Sequence, residues 1–140
     1  MGRILAIDYG TRRTGLAVSD PLRIIAGALA TVDTKQLERY LADYFAKNDV
    51  DIIVLGKPMQ MNGSPSQTMR YIEPLAGRLR HAYPDKEVVL YDERFTSVLA
   101  HRTMLESGIG RAARRDKALV DRISATIILQ SYMESAAMRQ

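Results

Sequence analysis

The run of residues 3–9 constrains this chain more than any other, because both sides of its alternation are apolar. Ile4 and Ala6, followed by Asp8, share one side, and Leu5 and Ile7 the other, so a strand made from them needs a covering layer on each face. Gly10 and Gly15 bracket a polar stretch that returns the chain into an apolar run at residues 16–19, which is a hairpin signal. After Pro21 a third apolar segment, residues 24–32, completes an antiparallel meander. Two-sided burial of the first strand then requires helices, and the rest of the chain supplies them.

Thr34 has the chemistry of an N-cap, and Leu37, Tyr40, Leu41, Tyr44 and Phe45 recur with helical spacing behind it. Residues 52–56 form a short β-branched apolar run, as expected of a strand buried in a parallel region. Ser64 with Gln67 reads as a capping box around Pro65, and the apolar face of Ile72, Ala76 and Leu79 follows, with Pro74 set to kink or split the helix. Residues 87–91 make a fifth strand, Thr96 or Ser97 can cap a helix closed by Gly108, and a long helix spans about 116–138. The expectation is one α/β domain over residues 1–140. Its sheet is mixed and five-stranded, with three antiparallel strands, then two parallel ones, and helices on both faces.

Composition narrows the chemistry. The chain has no cysteine, which removes disulfides, thiolate metal sites and cysteine nucleophiles, so a catalytic metal must sit on oxygen or imidazole. No basic-then-apolar leader opens it and no apolar stretch approaches the roughly 20 residues of a membrane span, so a cytoplasmic location without membrane contact is expected. The formal charge is +4 and the pI about 9.5. The excess concentrates at Arg111, Arg114, Arg115, Lys117 and Arg122, against Asp116 and Asp121. Such a cluster suits a polyanion, and nucleic acid above all, although a solvated basic loop has the same composition.

Three carboxylate positions point to a site. In sheets of this type ligands gather outside the carboxyl ends of parallel strands. Asp8 ends the first strand, and Asp92 and Glu93 directly follow the fifth, where alternation allows only one of the two to face a shared site. On the last helix Asp121 shares a face with Ser124, Ala125, Ile128 and Tyr132, which is the inward face. An inward carboxylate is costly unless paired or bound to a cation, and three of them would repel one another. Divalent metal resolves that conflict. All-oxygen ligands suit Mg²⁺ or Mn²⁺, and two such ions can activate water and stabilise the leaving oxygen in phosphodiester hydrolysis.

Four ordered blocks carry a resemblance. They are I-D-Y-G-T-R-R-T-G-L-A-V-S-D at residues 7–20, L-G-K-P-M-Q-M-N-G-S at 55–64, D-E-R-F-T-S at 92–97 and V-D-R-I-S-A-T-I-I-L-Q-S-Y at 120–132. Together they resemble the YqgF family, also called the RuvX or RuvC-like resolvase family, over nearly the whole chain. The resemblance implies a ribonuclease H-like fold, with Asp8, Glu93 and Asp121 at the three acidic positions that bind metal and catalyse. It also implies a bacterial cytoplasmic nuclease maturing the 5′ end of the 16S ribosomal RNA precursor, with Holliday-junction resolution as the alternative. Lys57, Asn62 and Ser97 depart from the commoner family residues, and Lys57 leaves the substrate contacts of its loop open.

Around the acids, Arg13 and Arg94 can clamp a phosphate or hold a carboxylate, and Lys57 joins them and the basic cluster as a nucleic-acid contact. Gly10 and Gly15 suit either close approach to phosphate or a plain tight turn. His81 and His101 read as surface histidines, and Asp92 as a supporting acid. The expected partner is RNA rather than branched DNA, within a pre-ribosomal particle where one is engaged, and the protein is expected to be a monomer or weak homodimer. A noncatalytic RNA- or ribosome-binding factor is the rival from another class. An actin-like kinase, suggested by Asp8, Gly10 and Thr11, would need a second lobe that this length leaves no room for.

Overall fold

The strand with two apolar sides takes the middle of the sheet. In the computed structural model, which describes residues 2–57, 68–92 and 117–138, β1 (Arg3–Asp8) lies between β2 (Arg13–Ser19) and β4 (Val50–Lys57). With β3 (Ala26–Asp33) and β5 (Glu87–Asp92) the strand order is β3-β2-β1-β4-β5. β1–β2 and β2–β3 are antiparallel, while β1–β4 and β4–β5 are parallel, as the meander and the two later apolar runs require.

The two faces are covered differently. Helices α1 (Leu37–Lys47) and α2 (Met69–Ala82) pack Leu37, Leu41, Ile72, Leu75 and Leu79 against Leu5, Ile7, Leu16, Ile53 and Leu55. On the other face α3 (Lys117–Met138) lays Ala125, Ile128, Leu129 and Tyr132 over Ile4, Ala6, Ala17 and Val54. Fully burying one large aliphatic side chain contributes about 1.5–3 kcal/mol, so the first face, richer in such residues, carries more of the stability.

Several local expectations change. Ile24 and Ile25 do not begin β3, because their backbone N–H groups, with that of Leu22, donate to the Asp20 carboxylate in a tight turn. Those donors, Ile25 first, hold the Asp20 carboxyl below its ordinary range. Arg23 in this turn has φ 58°, a left-handed conformation that an L residue adopts only when its surroundings fix it. Its guanidinium is fixed by the Gly2 carbonyl and Asp51.

Thr34 does not cap α1. It opens a 3-10 turn (Thr34–Gln36), while its hydroxyl donates to the Gly10 carbonyl at 2.6 Å and meets Thr14 Oγ1 at 2.9 Å. The residue before α1 is Gln36, which makes no side-chain cap bond. Helix α2 runs through Pro74 unbroken. Pro74 lies on the exposed side of α2, where water can satisfy the carbonyl that loses its N–H partner, while Ile72, Leu75, Ala76 and Leu79 hold the buried side. The expected capping box at 64–67 and the helix expected to end at Gly108 lie outside the described residues.

Candidate active site

The antiparallel register pairs Asp8 with Gly15 across β1 and β2. Paired residues in an antiparallel ladder project to the same face, and Asp8 continues the alternation of Ile4 and Ala6, whose side chains meet α3. Gly15 is where α3 comes down on the sheet. A Cβ at that position would collide with the Asp121 backbone and come within 3.1 Å of the Asp121 Cβ. The missing side chain of Gly15 therefore lets the Asp121 turn settle onto the strand position that pairs with Asp8.

Thr31 secures the same end of the helix, donating its hydroxyl to the Ala118 carbonyl at 2.6 Å. Small residues extend the close approach along the seam, with Ala6, Ala17 and Ala125 all fully buried. Of the face expected to look inward, Ala125, Ile128 and Tyr132 pack on the sheet, while Ser124 and Asp121 are half-buried.

Arg13 opens β2 two residues before Gly15, and its Nε donates to Asp121 Oδ2 at 3.1 Å. In the described arrangement it holds a carboxylate, one of the two roles the sequence leaves open. The side chains keep 38% and 24% of their exposure, so the pair is open to solvent and to competing ions. Asp121 is thus engaged by a cation from the start of β2.

The remaining site residues divide by position. Lys57 ends β4 opposite Asp92 in the β4–β5 ladder. Alternation with Ile53 and Leu55 puts it on the α1–α2 face, across the sheet from Asp8. Tyr91 packs towards α3 while Val88 and Leu90 pack the other way, so Asp92 falls on the face opposite Asp8. Glu93, Arg94, Arg111, Arg114 and Arg115 lie outside the described residues, as does the side chain of Lys117, whose backbone opens α3. His101 lies outside them too, and His81 is exposed on α2, as a surface histidine should be. Among the described residues no three His, Cys, Asp or Glu gather as a metal group. Asp8 and Asp121 offer only oxygen donors, the donor chemistry that suits Mg²⁺ or Mn²⁺ where such an ion is held.

Gly10 and Gly15 do different jobs. A Cβ on Gly10 would strike the Arg13 carbonyl, which is the tight-turn role, whereas Gly15 admits a helix rather than a phosphate. The sequence reasoning missed a cluster on the same edge, formed by Tyr9, Arg70 and Tyr71. The available signal was a tyrosine directly after a strand-end acid and an Arg-Tyr pair at a helix start.

A family model described as RuvX, Holliday junction resolvase, matches residues 2–135. A protein of Porphyromonas gingivalis named "Putative pre-16S rRNA nuclease" is 56% identical over 135 residues, covering 96% of this chain and 98% of the relative. One of the same name from Flavobacterium johnsoniae is 48% identical with the same coverage. The solved structure of Thermus thermophilus RuvC in complex with a Holliday junction is similar with a TM-score of 0.55 at 15% identity. The match covers 96% of this chain and 98% of that one, and it shows the fold, ribonuclease H-like.

Proposed function

The chain belongs to the RuvX family, and from that premise we propose that it is a metal-dependent nuclease maturing the 16S ribosomal RNA precursor, with Asp8, Glu93 and Asp121 as its acidic triad. The observation that supports this reading is that Gly15, paired with Asp8 across the strands, lies directly against the Asp121 backbone. Alternation of β5 sends Asp92 to the opposite face, which supports Glu93 as the third acid. Divalent cations, when held by these residues, supply an activated water and charge stabilisation for the leaving oxygen. The chain's own contribution is placement. β1 fixes one carboxylate at the sheet edge, the α3–β2 contact fixes another, and Arg13 steadies Asp121 beside an anionic substrate.

RNA is favoured because relatives about half identical to this chain along nearly their whole length carry the ribosomal RNA name. The second reading, Holliday-junction resolution, has the family description in its favour. We further propose one domain over residues 1–140, a cytoplasmic location, a pre-ribosomal particle as the setting, and a monomer or weak homodimer. No helix among the described residues is long and apolar enough to cross a membrane.

The test is side-by-side cleavage of precursor rRNA and a four-way DNA junction in Mg²⁺ or Mn²⁺, comparing wild type with Asp8→Asn and Glu93→Gln. Cleavage of the RNA alone, lost in both variants with binding retained, is expected. Cleavage of the junction alone selects the second reading. Binding without any hydrolysis selects a noncatalytic RNA- or ribosome-binding factor.

A further inference from the structure

Among the described residues four large apolar side chains are exposed, and they separate into two groups. Leu22, Ile24 and Ile25 sit on the turn after β2, at the end of the sheet where β1 begins. Tyr71 sits at the other end, in the first turn of α2, and is 38% exposed. Its ring stacks on Tyr9, with centroids 6.2 Å apart and planes 29° from parallel. The Arg70 guanidinium carbon lies 4.9 Å from the Tyr71 centroid, and Arg70 Nη2 donates to the Tyr71 hydroxyl at 2.9 Å.

Two aromatic rings and a guanidinium are thus assembled at the carboxyl edge of β1, and Tyr9 is the residue directly after Asp8. Core packing accounts for Tyr9, which joins the cluster under α1 and α2, but not for a tyrosine left facing solvent with an arginine fastened to it. Lys57 belongs to the same corner, since the β1–β4 register pairs Ile7 with Leu55 and its continuation brings Lys57 alongside Tyr9. Aromatic faces interleaved with cations are the chemistry that holds nucleic-acid strands by stacking and backbone neutralisation.

We propose that Tyr71, backed by Tyr9 and Arg70, is a stacking platform for an unpaired nucleobase of the substrate strand. The proposal rests on the nuclease reading and sharpens its substrate class. A base inside a duplex has both faces covered by its neighbours, so a strand using this platform is single-stranded beside the scissile phosphate. The phosphate then meets the acids on the α3 face while the base crosses the sheet edge to the α2 face.

The experiment is fluorescence anisotropy with labelled single-stranded RNA, single-stranded DNA of the same sequence and the matched duplex. It is run in EDTA, so that binding is separate from hydrolysis, with the full chain and its Tyr71→Ala, Tyr71→Phe, Tyr71→Leu and Arg70→Gln variants. Stacking on one aromatic residue predicts that Tyr71→Ala weakens single-strand binding about 5- to 150-fold. Tyr71→Phe stays within about twofold of wild type and Arg70→Gln falls between them, because the face rather than the hydroxyl holds the base. Tyr71→Leu, which keeps bulk and fold, behaves as Tyr71→Ala, both single strands respond alike, and duplex binding is unmoved.

Single-strand binding unchanged in Tyr71→Ala overturns the proposal. So does a loss in Tyr71→Phe equal to that in Tyr71→Ala, or a parallel loss on duplex. Cleavage of precursor RNA in Mn²⁺ with indifferent Tyr71 variants overturns the platform and leaves the nuclease reading. The expected binding losses in a protein that cleaves nothing overturn the nuclease reading alone.

Discussion

The two faces of the sheet follow opposite packing rules. Towards α1 and α2 the buried side chains are large and aliphatic, and Leu5, Ile7, Leu16, Ile53 and Leu55 are fully buried there. Towards α3 the strands offer Ala6, Gly15 and Ala17, and the helix comes close enough that a methyl group at Gly15 has no room. Volume on one face gives stability. Its absence on the other lets the Asp121 turn of α3 come down on the strand position paired with Asp8, so the face with the smaller side chains is where the proposed chemistry lies.

The sharpest way to break this contrast is to remove charge from the thin face. Asp8→Asn, which keeps the size of the side chain, is expected to lower cleavage by on the order of 10³-fold while Tm stays near wild type. A Tm loss matching that of a core variant would show that Asp8 is structural. The thick face gives the converse. Leu55→Ala should cost about 2–5 kcal/mol by leaving a cavity, while cleavage per folded molecule at low temperature stays near wild type. Denaturant titration beside single-turnover kinetics checks both halves.

Gly15→Ala adds one methyl group at the seam and should damage both properties. Overpacking costs about 1–3 kcal/mol, and displacing the Asp121 turn lowers cleavage on the order of 10²-fold. A variant as active as wild type would show that the close approach of α3 does not set the site. Arg13→Gln has a smaller effect. A half-exposed ion pair contributes about 0–1 kcal/mol, so stability should barely move. Freed of its guanidinium, Asp121 should need less cation, and half-maximal cleavage should come at up to about fivefold lower Mn²⁺.

The mildest test is alkaline. Burial, opposed by the charge of Arg3, raises the Tyr44 phenol above its ordinary value of 10.0. Burial likewise raises Tyr40, with Tyr44 adding to it, and Tyr83, with Glu38 adding to it. A phenol raised in the folded state contributes stability that is intact below the unfolded value and is lost as pH climbs through the folded one. Tm should therefore hold to about pH 10 and then decline, less steeply in Tyr44→Phe, whereas a decline set in α3 would not respond to that variant.

Much of this organisation can be read from residue order, and the exceptions share a cause. The two-sided apolarity of β1, the helical spacing of α1 and the small inward face of α3 are periodic signals, and the sheet order and the inward Asp121 follow from them. What the order hides is contact between segments far apart in sequence. Thr34 has the right chemistry for a helix cap, but its hydroxyl goes to Gly10 and Thr14, a turn and a strand away. Ile24 and Ile25 look like strand until Asp20 takes their N–H groups. Gly15 looks like part of a turn because nothing near it in the chain announces Asp121. Tyr71 acquires meaning beside Tyr9, which only the folded sheet brings near.

Asp8 sits in β1 and Asp121 in α3, the first and last of the described elements, and this spacing has a consequence for biosynthesis. A chain made from its amino end exposes the β1–β3 meander early, yet the partner carboxylate leaves the ribosome only after every intervening strand. An unfinished polypeptide therefore carries only one of these two proposed site carboxylates. With the proposed ribosomal RNA target, this ordering keeps the protein from cutting while it is still attached to the particle that makes it.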